Sequence, residues 1–145
     1  MRSLVMVTTA FVVACASIVA LAQQVNTPDQ LDAAMKRVAA GFGGANKAIM
    51  SMSYADARTQ LAATKAAIVD AENLWVVNKK TDAVMFSKNV QAAIDATDKL
   101  LAAPAVDQMA AAASMKQLQA ACGSCHMVYR VRDEAMNWVT KPGTF

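Results

Sequence analysis

The chain has 145 residues, 56% of them hydrophobic and only 17% charged, with a formal net charge of +3. That length points to one domain. The small, dispersed charge excludes a nucleic-acid-binding surface as the main business of the protein.

The first 22 residues read as a secretory signal. Arg2 supplies a positive start, Leu4 to Val19 is an uncharged apolar run, and Ala20-Leu21-Ala22 is a small-residue cleavage site that leaves Gln23 as the new N-terminus. An uncleaved membrane anchor and a lipoprotein modified at Cys15 are the competing readings. The clean A-x-A argues against the first, and the apolar stretch from Cys15 to Leu21 against the second. Cleavage predicts a 23–145 domain, exported to the periplasm and without stable membrane insertion. The mature chain keeps two of the three cysteines and thirteen basic residues against eleven acidic ones, a net charge of +2.

The remaining chain predicts four helices and no convincing strand. Alanine is abundant, glycine and proline are scarce, and apolar residues recur at helical spacing. The first helix opens on Thr27 as N-cap, Pro28 at its first position and Gln30 completing a capping box. Its stripe is Leu31, Met35, Val38, Phe42, Ala45 and Ile49. Gly41, Gly43 and Gly44 mark either a kink or a close helix–helix approach.

The second helix starts near Ser53 and carries Leu61, Ile68 and Trp75 on one face, followed by a short connection at Asn78-Lys79-Lys80. The third runs from about Asp82 to before Pro104, with Val90, Ile94, Thr97 and Leu101 inward. The fourth runs from about Asp107 to beyond Arg132, with Leu118, Cys122, Cys125 and Tyr129 inward, and Lys141-Pro142-Gly143 ends any continuation. Four such helices with short connections predict an all-α, antiparallel up-and-down four-helix bundle.

Cys122-Gly123-Ser124-Cys125-His126 is C-x-x-C-H, the attachment signature of c-type haem. Thiols three apart lie on one side of a helix and can both bond one porphyrin through its vinyl groups. The following histidine then stands as proximal iron ligand. His126 is the single histidine of the chain, and the motif uses both mature cysteines. A thioredoxin-like C-x-x-C needs a βαβ context that is missing here, and a structural zinc site needs a fourth ligand. A second iron ligand must come from an earlier helix. Met127 adjoins His126, only Met136 lies further on, and Met109 and Met115 share the histidine's helix.

A helical bundle ending in Cys122-Gly-Ser-Cys125-His126-Met-Val-Tyr129-Arg130 resembles the cytochrome c-prime, or class II cytochrome c, family, whose motif continues with an aromatic residue and an arginine. Setting the family's Phe-Gly pair on Phe42-Gly43 implies that Met35 covers the distal face of the iron. Low-spin members similar to cytochromes c-554 and c-556 place a ligating methionine there, and high-spin, gas-binding members an apolar residue. The resemblance also implies that Trp75 lines the pocket, that Arg130 lies near the proximal ligand, and that the chain is a homodimer. Tyr129 is expected to pack on the proximal side.

The family's first-helix arginine near a haem propionate is replaced here by Leu31. Lys36 or Arg37 is then the stand-in, or the propionates face solvent. Trp138 and Phe145 lie in a tail longer than the family usually has. Ordinary packing is their simplest role, with a haem edge or a subunit contact the alternatives. Met50, Met52 and Met85 would become ligand candidates only under a shifted helix register.

The expected function is therefore single-electron transfer by a monohaem cytochrome with His126/Met35 ligation, exchanging electrons with redox partner proteins and catalysing no reaction of its own. The alternative is a five-coordinate cytochrome c-prime that binds nitric oxide or carbon monoxide at an open distal site.

Overall fold

A computed structural model describes residues 25–145. The expected signal segment, its cleavage site and Cys15 lie outside the described residues. Four helices account for most of the chain: α1 (Pro28–Met50), α2 (Tyr54–Val77), α3 (Thr81–Leu101) and α4 (Gln108–Tyr129).

The start of α1 follows its local chemistry. Thr27 is extended, its hydroxyl accepts from Gln30 N at 3.2 Å, and the Gln30 side chain accepts from Thr27 N at 3.1 Å. Each bond satisfies an amide that the helix itself leaves without a partner. Asp107 does the same for α4, accepting from Met109 N at 2.8 Å and Ala110 N at 3.1 Å. Ser53 stands at the N-cap of α2 but makes no side-chain capping bond. At the other end of α2, the Asn78 amide donates to the Leu74 carbonyl at 2.8 Å.

Side-chain pairs give the direction of each helix. Arg37 of α1 meets Asp70 of α2, while Gly41 and Gly44 lie against Gln60 and Thr64. Arg58, Lys65 and Glu72 of α2 meet Asp98, Asp95 and Lys88 of α3 in turn. Thr97 and Ser114, one of the buried polar pairs, share a 2.6 Å hydrogen bond between α3 and α4, and Tyr129 of α4 reaches back to Asp82 of α3. Each consecutive pair therefore runs antiparallel, and α1 also meets α4, in keeping with a four-helix bundle.

The glycines of α1 separate by position. A Cβ on Gly41 would collide with Thr64 Oγ1 and stand 3.1 Å from the Gln60 carbonyl oxygen, so α1 and α2 approach closely there. A Cβ on Gly43 would meet nothing within 4 Å, and α1 continues through all three glycines as one helix. Close approach, and not a kink, is what Gly41 provides.

The expectation of no strand and of a fourth helix running beyond Arg132 is corrected. The helix stops at Tyr129, and Arg130 is extended (φ −121°, ψ 149°). Strand β1 (Arg130–Arg132) pairs antiparallel with β2 (Trp138–Thr140), with Val131 opposite Val139. No glycine or proline breaks the helix. Val131 pairs with Val139 across the hairpin instead, with Arg130 opposite Thr140 and Arg132 opposite Trp138. The Arg130 guanidinium donates to the Trp138 carbonyl at 2.9 Å, and the Arg132 guanidinium lies 4.2 Å from the centroid of the Trp138 ring. Asn137 N closes the turn on the Asp133 carboxylate at 2.7 Å. Among the described residues, no helix is long and apolar enough to cross a membrane.

Candidate functional site: a cavity at the end of α4

Leu118 is the last buried residue of α4. From Ala121 to His126 every residue is half-buried, although the helix runs on without interruption. Four of them, Cys122, Gly123, Cys125 and His126, border a cavity of about 710 Å³ between α1, α2, α3, the end of α4 and the hairpin. A volume of this size is typical of a site for a small molecule or cofactor.

The motif residues line it together: Cys122, Gly123, Cys125 and His126. Met35, from α1, lines the same cavity, as do Trp75, Tyr129 and Arg130. Met35, Trp75, Cys122, Cys125, His126, Tyr129 and Arg130 thus line one space. Most of the remaining wall is apolar, with Leu31, Val38, Phe42, Ile68, Phe86 and Val90. On the stripe of α1, Leu31, Val38, Ala45 and Ile49 are buried, whereas Met35 and Phe42 are only half-buried. Those two face the cavity. Met50, Met52, Met85 and Met109 are exposed and stand outside the lining, and Met115 is buried in the core.

Trp75 is nearly buried, and its ring centroid lies 5.0 Å from that of Tyr129 and 5.2 Å from that of Phe145. The Tyr129 hydroxyl donates to Asp82 at 2.6 Å, which ties the end of α4 to the start of α3. Burial and the Asp82 bond push the Tyr129 hydroxyl up to about 12, while Tyr129 holds the Asp82 carboxyl below its usual range.

The electrostatics of the thiols are informative. Cys122 and Cys125 are not bonded to each other. Burial raises the Cys122 thiol. Burial, then the nearby Asp82 and Cys122, push Cys125 up to about 11. Both cysteines are therefore protonated near neutrality. Disulfide oxidoreductases need the opposite, an attacking thiol with a lowered pKa. The His126 imidazole is lowered by burial and then by the Arg130 charge, which favours the neutral form that ligates metals. Among the described residues, no group of three or more His, Cys, Asp and Glu side chains is placed to hold a metal ion by itself.

Charge around the cavity is uneven. Among the described residues, Arg130 is the one cationic side chain in its lining, and Asp29 and Asp32 stand on the α1 side. Lys36 and Arg37, the expected stand-ins for a propionate-binding arginine, are not in the lining. Lys36 pairs with Asp32 at 2.8 Å and Arg37 with the buried Asp70 at 3.0 Å. Both are already committed to carboxylates of the protein.

The sequence reading missed Phe86 as a wall residue, although a signal existed. Phe86 lies four residues before Val90 and extends the inner stripe of α3 by one turn. It also missed Val139 and Thr140, which reach the cavity through a hairpin that helical periodicity does not signal. No family model, no curated protein and no solved structure matches this chain.

Proposed function

We propose that this protein is an exported, monohaem c-type cytochrome of the class II kind, working as a periplasmic single-electron carrier. The observation that carries the proposal is the convergence of Cys122, Cys125, His126 and Met35 on one largely apolar cavity of about 710 Å³. The donor set suits the group: two thiols for thioether attachment, a neutral imidazole, and a thioether sulfur from a different helix.

When bound, haem supplies a one-electron iron couple, and the chain's residues set its surroundings. Cys122 and Cys125 would tether the macrocycle, and His126 and Met35 would hold its iron. Leu31, Val38, Phe42, Ile68, Phe86 and Val90 exclude water, which favours the less charged, reduced iron. Trp75 and Tyr129 hold the end of α4 in place through ring contact and the Asp82 bond. The partners are redox proteins, and no turnover chemistry is assigned to the chain itself.

A second reading has an observation in its favour. The wall around Met35 (Val38, Phe42, Ile68 and Val90) would admit a small neutral gas as readily as a methionine sulfur. If Met35 does not ligate, the protein is a five-coordinate cytochrome c-prime that binds nitric oxide or carbon monoxide.

The visible spectrum of the mature holoprotein separates the two. Low-spin iron that carbon monoxide does not perturb, converted to high-spin by Met35→Leu, is the expected result. High-spin iron that responds to carbon monoxide in the unmodified protein would exclude Met35 as ligand. A protein matured in the presence of haem that retains none covalently would refute both readings.

A further inference from the structure

The segment 130–145 is more firmly organised than its size predicts. A two-stranded hairpin alone is at best marginally stable in water. Here Lys141 N donates to the Tyr129 carbonyl at 2.9 Å and Lys141 Nζ to the Met127 carbonyl at 3.3 Å, so the returning strand caps the end of α4. Thr144 is buried, with its hydroxyl on the Lys141 carbonyl at 2.7 Å, and the Phe145 ring packs on Trp75.

A second observation concerns what β2 faces. Trp138, Val139 and Thr140 line the cavity, yet Trp138 is 49% and Val139 38% exposed. Two large apolar residues are therefore held in place by backbone and cation–π contacts while part of their surface meets no protein atom. Other half-exposed walls of the same space are Met35, Phe42 and Phe86. Apolar surface lining one cavity from three elements is explained by one apolar body filling it.

Resting on the haem reading above, we propose that the C-terminal hairpin is the water-excluding wall of the cofactor site on the α4 side, with Trp138 as the residue that seals it. Anchored at Lys141, Thr144 and Phe145, the hairpin would set β2, with Trp138, against the macrocycle. The seal would keep water from the iron's surroundings and so raise the reduction potential, because a dry pocket disfavours the more highly charged oxidised state.

The test uses the full-length holoprotein and its Trp138→Ala variant, with Val77→Ala, an exposed position outside the cavity lining, as control. Haem staining of a denaturing gel reports attachment, and potentiometric titration reports the seal. The expected result is undiminished staining in all three proteins, with a lower potential in Trp138→Ala alone. Hydrogen exchange provides a second measurement that does not depend on that variant's folding. Amides of 130–145 should exchange at least about tenfold faster in a full-length Cys122→Ser/Cys125→Ser chain than in holoprotein, beyond any change in the α2–α3 amides. Stained protein with an unchanged potential in Trp138→Ala and unchanged exchange in 130–145 would overturn the wall while leaving the haem reading intact. An unstained wild-type protein would overturn both.

Discussion

At one end of the helices, Ile49, Leu61, Ile94, Leu101, Met115 and Leu118 close into a core with little or no exposure. At the other end, where α1 and α3 begin and α2 and α4 finish, Met35, Phe42, Phe86 and Cys122 are only half-buried around a cavity of about 710 Å³. The same four helices thus fill one end, while at the other a second buried cluster with Leu31, Leu74, Trp75 and Ala83 leaves the cavity open beside it. Close-packed interiors rarely leave such volume open, since uncovered walls forfeit both dispersion contacts and burial. On the proposed reading, the space left at the open end is where a haem would sit.

Removing the attachment chemistry gives the sharpest break between the two ends. Cys122→Ala/Cys125→Ala should abolish covalently retained haem on a denaturing stained gel. Helical content by circular dichroism should largely persist, because neither thiol is among the buried core residues and Cys122 only borders them. A double variant that kept its stain would end the tether assignment.

Core truncation should sharpen the contrast in free energy. Leu118→Ala, at a position with no exposure, should cost about 2–5 kcal/mol in denaturant unfolding. Phe86→Ala, in the cofactor-free chain, should cost less than Leu118→Ala, under about 2 kcal/mol, because that ring is only half-buried and borders the cavity. Equal losses would mean that the open end is as tightly packed as the closed one. In the holoprotein the Phe86 effect should grow, and the difference between the two forms measures how far the cofactor completes the core.

Gly41→Ala probes the seam that joins the ends. Its new methyl meets the backbone of α2 as well as Thr64, so a loss of about 1–3 kcal/mol is expected. Gly43→Ala, with open space around it, should be neutral or mildly stabilising through helix propensity.

The smallest effect is a pH dependence from the Tyr129–Asp82 bond. The Tyr129 hydroxyl is raised to about 12, so its contribution is fully present below the ordinary tyrosine value of 10.0 and is lost as pH rises towards 12. The Asp82 carboxyl is lowered, so its contribution is present above the ordinary value of 3.8 and is lost as pH falls below it. Tyr129→Phe should flatten both limbs of the stability profile measured by denaturant titration. A profile indifferent to that change would show that the bond does not pin α4 to α3.

Much of this molecule was legible in its sequence because the signals were local or periodic. The capping box at Thr27 and Gln30, the stripes of α1 and α3, and the C-x-x-C-H of α4 each depend on residues within a few positions of one another. The inner positions Val90, Ile94, Thr97 and Leu101 are all buried. The hairpin was not legible. Nothing between Tyr129 and Arg132 forbids a helix, and what ends it is an alliance with Trp138 and Thr140, which helical periodicity cannot register.

The occupation of Lys36 and Arg37 was equally hidden. The first depends on which carboxylate lies one turn away, and the second on Asp70, thirty-three residues on. What the sequence determined by itself, then, was helix number, inner faces and the C-x-x-C-H spacing, because each follows from spacing along the chain. Only the tertiary structure decided that Cys122, Cys125, His126 and Met35 line one cavity, that Arg130 and not Lys36 or Arg37 stands in its wall, and that the C-terminal hairpin folds back to border it. Each of those outcomes depends on contacts between segments far apart in the chain, for which residue spacing carries no information.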